Sequence, residues 1–107
     1  MKGICLKFYA YEFQKQHGIL LYEWLLELAR KEGIHGGTAF RGISGFGRHG
    51  NLHEERFFEL AGNVPVEVSF IVNEEEAKHF LNLLKNEKLD LFYVKFPVEH
   101  GELTEKE

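Results

Sequence analysis

Residues 36–50 read GGTAFRGISGFGRHG, a short strand-like run that is enclosed by glycines. Residues 38–44 contain the aromatic and β-branched side chains that favour a strand, and the flanking glycines would end it. The six residues from Gly45 to Gly50 form a literal G-x-G-x-x-G. That spacing cradles the phosphates of a dinucleotide when it joins a strand to a helix, but in other contexts it is a flexible turn. The neighbouring elements decide between the two.

One strand and one helix precede this stretch. Residues 3–11 alternate with a period of two, which predicts strand 1. From about residue 17 to Gly33 the spacing is helical, and the apolar face of this helix 1 carries Leu21, Leu25, Leu28 and Ala29. The glycines therefore follow the second strand of the chain, strand 2, and not the first. This position excludes the dinucleotide-binding fold.

A third strand, a second helix and a fourth strand follow. Residues 64–72 give the clearest alternation in the chain and predict strand 3. Asn73 is predicted to cap a helix that ends near Asn86, because three acidic residues follow it and Glu76 occupies the capping-box position. Residues 89–96 are predicted as strand 4. The acidic segment 97–107 is expected to be a frayed tail.

This order of elements predicts an α+β fold, a ferredoxin-like (βαββαβ) sandwich in one domain spanning residues 1–107. Both helices would cover one face of a mainly antiparallel sheet. The other face would carry Cys5, Tyr9 and Ile71, together with Phe92 or Tyr93. An apolar sheet face without helices to cover it indicates contact with another subunit.

Composition excludes several functional classes. With 44% hydrophobic and 28% charged residues, the chain has the composition of a soluble globular domain. The net charge of −4 argues against a nucleic-acid binder. No apolar run approaches the ~18 residues of a membrane span, so we expect no membrane insertion and a cytoplasmic location. Cys5, the single cysteine, is expected to be a small buried hydrophobic residue.

The connection between strands 2 and 3 is the most unusual segment. Loops of this length are uncommon in small domains unless they are functional or mobile. In an acidic chain, the segment 35–56 is locally rich in basic and imidazole side chains, with only Glu54 and Glu55 against them: Arg41, Arg48, Arg56, His35, His49 and His53. This local charge favours an anionic ligand.

Residues 36–50 resemble the end of strand 2 and the base of the long T-loop in PII signal-transduction proteins, where G-x-T leads through a β-branched position into G-F-G-R. The corresponding residues are Gly36, Thr38, Ile43 and Gly45-Phe46-Gly47-Arg48. The chain is still more similar to the PII-like family called domain of unknown function one hundred and ninety. That similarity rests on His17-Gly18, the T-x-x-R-G-I-x-G-F-G strand, His53 and Val64-Pro65-Val66.

PII proteins are homotrimers that bind ATP or ADP in clefts between subunits, and the resemblance implies the same layout here. It implies a ligand-sensing protein that requires no cofactor, binds a small anionic metabolite or nucleotide, and contacts a protein partner through the loop 45–63. The glycine-rich loop that carries a phosphate-binding lysine in PII has no counterpart between helix 2 and strand 4. The resemblance implies a ligand site where strand 2 passes into the long loop: Thr38, Arg41, Gly45, Phe46, Gly47, Arg48 and His49.

Other interpretations of these residues remain open. Gly45 and Gly47 also suit a bulged strand end, Arg48 suits an ion pair with a neighbouring subunit, and Phe46 suits an apolar interface. A purely structural oligomerisation module is the corresponding function.

A metal-binding or catalytic domain is the other alternative. His49 and His53 have the i, i+4 spacing of zinc ligands on a helix. Gly50 and Asn51 between them disfavour a regular helix, and a third ligand is not evident. The sequence also contains no recognisable nucleophile motif. We therefore expect neither a metal site nor an enzyme.

Overall fold

The computed structural model describes residues 1–46 and 64–105. Four strands of this part form one antiparallel sheet in the order β4-β5-β1-β6, and two short strands form a separate hairpin. The sheet order and the two helices confirm the predicted ferredoxin-like plan. The elements are β1 (Lys2–Tyr11), β2 (Lys15–Gln16), β3 (Ile19–Leu20), α1 (Leu21–Lys31), β4 (Gly37–Arg41), β5 (Pro65–Val72), α2 (Glu74–Asn86) and β6 (Phe92–Glu99).

The core lies between one face of the sheet and the two helices. In the register of β1 with β5, Leu6 is opposite Phe70 and Phe8 is opposite Val68, so the inward residues of the two strands form one apolar surface. Phe8, Phe70 and Phe80 pack edge to face with ring centroids 5.4–6.1 Å apart. The helices contribute Leu21, Leu25, Ala29, Ala77, Phe80 and Leu84.

The first helix begins at Leu21, four residues later than the predicted start near residue 17. His17 and Gly18 both have positive φ, 53° and 81°, as in the two-residue turns that join hairpin strands. They connect β2 to β3, and helical backbone cannot begin before this turn ends. His17 therefore does not lie at the start of the helix. Its Nε2 lies 2.8 Å from Oε1 of Glu87.

The second helix begins as predicted. The Asn73 side chain accepts a hydrogen bond from the Glu76 backbone N–H at 2.7 Å, and the Glu76 side chain accepts one from the Asn73 N–H at 2.9 Å. This reciprocal pair satisfies two backbone donors that the helix itself leaves unpaired.

Several strand boundaries differ from those predicted, and β6 starts at Phe92 instead of residue 89. Strand β4 ends at Arg41 instead of residue 44, because β5 starts at Pro65, which has no N–H to extend the ladder. Strand β6 reaches Glu99, so the prediction of a frayed tail from residue 97 is wrong for its first residues. The ten-residue β1 provides backbone hydrogen-bonding partners for β6 as far as Lys2, which is opposite Glu99. Beyond this pair, the His100 N–H donates to the Met1 carbonyl at 2.8 Å.

The side chains on the other side of the sheet form what we call the open face: Cys5, Lys7, Tyr9, Thr38, Phe40, Glu67, Ser69, Ile71, Phe92, Val94 and Phe96. Phe92, opposite Tyr9, belongs to this face, whereas Tyr93, opposite Phe8, lies on the helix side. Among its members, Ile71 and Phe96 are 45% and 40% exposed. Cys5 is buried as predicted, and burial raises the pKa of its thiol. The described part of the chain leaves an apolar sheet surface without a covering layer.

The capping box generates a test of local stability. Asn73→Ala should lower the free energy of unfolding by about 1 kcal/mol, because it removes the acceptor for the Glu76 N–H. Asn82→Ala on the exposed side of α2 is the matched control and should cause no loss, since alanine has the higher helix propensity. Urea unfolding measures both. Equal stabilities for the two variants would contradict the role of Asn73.

Candidate functional site at the base of the long loop

The connection between β4 and β5 leaves and re-enters the sheet at one place. At its start, the Gly42 N–H donates to the Pro65 carbonyl at 2.7 Å. At its return, the Val64 carbonyl accepts from the N–H of Glu12 at 2.8 Å, in the turn that follows β1. We refer to residues 41–46 and 64–65, together with Glu12, as the loop base.

The glycines of the loop base allow close packing on a proline ring. A Cβ at Gly42 would lie 3.0 Å from Cγ of Pro65, and a Cβ at Gly45 would lie 3.2 Å from the same atom. Both distances are shorter than ordinary van der Waals contacts. Two glycines of the sequence pattern thus have a packing function, which brings the start of the loop against the beginning of β5.

An ion pair lies at the centre of the loop base. Glu12 is the one buried charged residue in the described ranges, with a side chain that is only 12% exposed. Its Oε2 accepts hydrogen bonds from Nε of Arg41, at 3.1 Å, and from Nη2 of Arg41. A buried carboxylate requires such a partner because desolvation penalises its charge. The hydrogen bond to Glu12, and then the charge of Glu12, raise the pKa of Arg41, which remains a cation.

The arginine of this pair faces solvent, since 67% of its side chain is exposed. Apolar side chains lie along the chain beside it: Ile43 is 97% exposed and Phe46 is 77% exposed. A guanidinium and an aromatic ring on one short segment can bind a molecule that combines an anionic group with a flat ring. The same exposed ring also suits a protein interface.

Some of the predicted site residues lie on one short segment of the described chain. Arg41, Gly45 and Phe46 belong to the loop base. Thr38 lies opposite Ser69 on the open face, whereas Arg41 extends from the other face about 10 Å further along the strand, so their side chains diverge. Three predicted ligand residues, Gly47, Arg48 and His49, lie outside the described residues, as does His53.

Glu12 was not predicted, although the sequence contains a signal for it. The inward positions of β1 are the even-numbered ones, and Glu12 continues this series directly after Ala10. An acidic residue in the register of the core calls for a buried partner. Which cation supplies the partner depends on the pairing of β4 with β5.

A cavity of about 420 Å³ opens elsewhere, between α1 and the start of β4. The Phe70 ring forms part of its wall below Gly37, where a Cβ would lie 2.4 Å from Cε1 of that ring. Glu23 and Glu27 lie among its lining residues, and Glu27 accepts a hydrogen bond from Arg30. Arg30 and His35 line the cavity as well, so its charged and titratable side chains are of both kinds and do not favour an anion over a cation.

Residues 1–46 and 64–105 contain no group of three or more histidine, cysteine, aspartate or glutamate side chains arranged to hold a metal ion. Over the same ranges, we find no helix with the length and apolar character needed to cross a membrane.

Sequence comparison identifies relatives over most of the chain. The family model DUF190, described as "Uncharacterized ACR", matches residues 3–94. A UPF0166 protein of Aquifex aeolicus (strain VF5) is 34% identical over 85 residues, which are 79% of this chain and 81% of the relative. A UPF0166 protein of Methanocaldococcus jannaschii is 35% identical over 81 residues, or 76% and 74% of the two chains.

Structural comparison identifies PII-like proteins. CPII of Thiomonas intermedia K12, a nitrogen regulatory PII-like protein solved with ADP, AMP and bicarbonate, matches with a TM-score of 0.64 and 17% identity, over 97% of this chain and 98% of CPII. A protein of Thermus thermophilus described as PII-like matches with a TM-score of 0.62 and 20% identity, over 91% and 87% of the two chains. At these low identities, the structural matches show the fold alone. The chain belongs to the DUF190 family and has a PII-like fold.

Proposed function

We propose that this protein is a PII-like ligand-sensing regulator. Its loop base binds a small anionic metabolite or nucleotide, and its loop 45–63 passes the occupancy of this site to a protein partner. The observation that carries the proposal is the Arg41 guanidinium, which is held at the loop base by a buried carboxylate and is still largely exposed. The ADP, AMP and bicarbonate bound by CPII support the same ligand class.

The loop base offers two kinds of attraction. Two of the five N–H groups of a guanidinium suffice for the contacts with Glu12, so Arg41 retains donors for a phosphate or carboxylate. Phe46 provides an exposed ring for stacking. We place Arg48 and the amides of Gly45 and Gly47 around the same anion, as a concave set of donors. His49 completes this set, whereas Thr38, which was also predicted from the sequence, lies on the open face and is left out of it.

We further propose a homotrimer in which the open faces of the sheets point inward and the ligand clefts lie between subunits. Covering the open face would remove half-exposed side chains such as Ile71, Phe92 and Phe96 from water. Lys7 and Glu67, 3.6 Å apart, would give the buried surface a paired polar centre. The proposed location is the cytoplasm.

The assembly can be tested by light scattering at micromolar concentration. The native protein should have three times the chain mass of 12.5 kDa. Ile71→Glu should yield smaller species, because it puts an unpaired charge into the proposed interface. Lys78→Glu, on an exposed position of α2, introduces the same side chain elsewhere and should leave the trimer intact. A monomeric native protein would refute the arrangement.

The anion site can be tested by titration calorimetry with ADP. Arg48→Ala should weaken binding roughly 10- to 150-fold, since a hydrogen bond to a charged group contributes about 1.5–3 kcal/mol. Arg30→Ala removes an arginine that pairs with Glu27 on α1 and should leave the affinity unchanged. Added salt should weaken native binding more than binding by Arg48→Ala. Equal affinities of native protein and Arg48→Ala would remove Arg48 from the site.

Chelation distinguishes the proposal from a metal-binding domain that uses His49 and His53. Because the proposed site needs no metal, protein treated with a chelator and then dialysed should keep its melting temperature and its affinity for ADP. Metal analysis before and after treatment provides the control. A large fall in melting temperature that zinc restores would favour the histidine alternative.

A further inference from the structure

We propose that Glu12 is an internal competitor of the ligand. Its carboxylate holds Arg41 in the ligand-free protein, and the anionic group of the ligand takes over this arginine when it binds at the loop base. The inference rests on the proposed function and concerns the regulation of that same site. Glu12, which lies outside the glycine-rich segment, thus lowers the affinity of the loop base for its ligand.

Glu12 lies where a carboxylate needs a cationic partner, and Arg41 supplies it. The even-numbered side chains of β1 point into the core, and Glu12 is the next even position after the strand ends. Its carboxylate is buried there, where a charge without a partner is unfavourable. Arg41 reaches it from β4, across the intervening strand β5. The two residues thus connect the end of a central strand to the first residue of the loop base.

The two partners differ in how easily they can move. The Glu12 side chain is 12% exposed and is enclosed by protein, whereas the Arg41 side chain is 67% exposed. Both hydrogen bonds from Arg41 end on the same oxygen, Oε2. A phosphate or carboxylate can instead present two oxygens in parallel to the guanidinium, which is the stronger geometry. Arg41 can therefore exchange Glu12 for a ligand.

This exchange has an opposing cost, because it leaves the buried carboxylate without its cation. Glu12 consequently lowers the affinity of the site for every anion and favours those that engage Arg41 through two oxygens. Simple monovalent ions such as chloride do not meet this requirement.

The exchange is also connected to the loop. The backbone N–H of Glu12 donates to the carbonyl of Val64 at the return of the loop, and Arg41 directly precedes Gly42, which bonds to Pro65 at its start. When Arg41 leaves the Glu12 carboxylate, the side-chain contact between these two neighbours of the loop ends is lost. Occupancy of the site then changes how firmly the loop is held.

Titration calorimetry with ADP, inorganic phosphate and bicarbonate tests the competition. Glu12→Gln keeps the shape of the side chain and removes its charge, and it should bind ADP about two- to fivefold more tightly than the native protein, the range for a partly exposed ion pair. Glu32→Gln, at an exposed partner of His79, makes the same change in net charge and should bind like the native protein.

The double variant Glu12→Gln with Arg41→Ala identifies the residue for which the ligand competes. It should bind ADP no more tightly than Arg41→Ala alone, because the gain requires the arginine. Circular dichroism checks the fold of every variant. If Glu12→Gln does not fold, Glu12→Asp replaces it, since the shorter carboxylate weakens the contact and should produce a smaller gain of the same sign.

The possible outcomes separate the two proposals. If the native protein binds ADP and neutralising Glu12 leaves the affinity unchanged or weakens it, Glu12 only supports the loop base and the competition is refuted. A gain that persists without Arg41 also refutes it. If none of the three anions binds to either protein, the proposed function fails and this inference fails with it.

Discussion

The register of β1 is the constraint on which the other features depend. This strand lies in the middle of the sheet and pairs with β5 on one side and β6 on the other along nearly its whole length. Its even-numbered side chains enter the core, and its odd-numbered ones form the open face. A shift by one residue would place Lys7 in the core and Phe8 outside it, so the burial of the apolar face determines the register.

The same register creates the loop base. Because the inward series continues to Glu12, a carboxylate is buried where β1 ends, next to the two ends of the long loop. Strand β4, on the far side of β5, supplies Arg41 as its partner. Glycines that pack on Pro65 keep the chain close to this pair. The buried Glu12 thus contacts residues at both ends of the long loop: its carboxylate binds Arg41, and its backbone N–H binds Val64.

The two faces of the sheet have different roles in this arrangement. Helices α1 and α2 cover the inner face, and His79 of α2 lies 2.8 Å from the carboxylate of Glu32 at the end of α1. The open face combines half-exposed aromatic side chains with the Lys7–Glu67 pair. The helix layer completes the core of the single chain, while the open face is the surface for the proposed trimer.

Much of the fold was determined by local sequence patterns. The alternation in β1 and β5, the apolar faces of the helices and the Asn73 capping box involve residues that are neighbours in the chain, so their order alone predicted the ferredoxin-like plan. The glycine-rich stretch, with the other matching residues, also identified the family, while the ligand site that it suggests stays a prediction.

Tertiary structure decided the features that depend on distant partners. The length of β6 follows from the length of β1, with which it pairs, and its own composition gave no reason to continue to Glu99. The predicted helix from residue 17 starts later, because His17 and Gly18 form a hairpin turn and the helix begins only at the fully buried Leu21. The pairing of Glu12 with Arg41 joins residues 29 positions apart. Sequence spacing could not predict this contact, because the two residues become neighbours only when β4 and β1 both pair with β5.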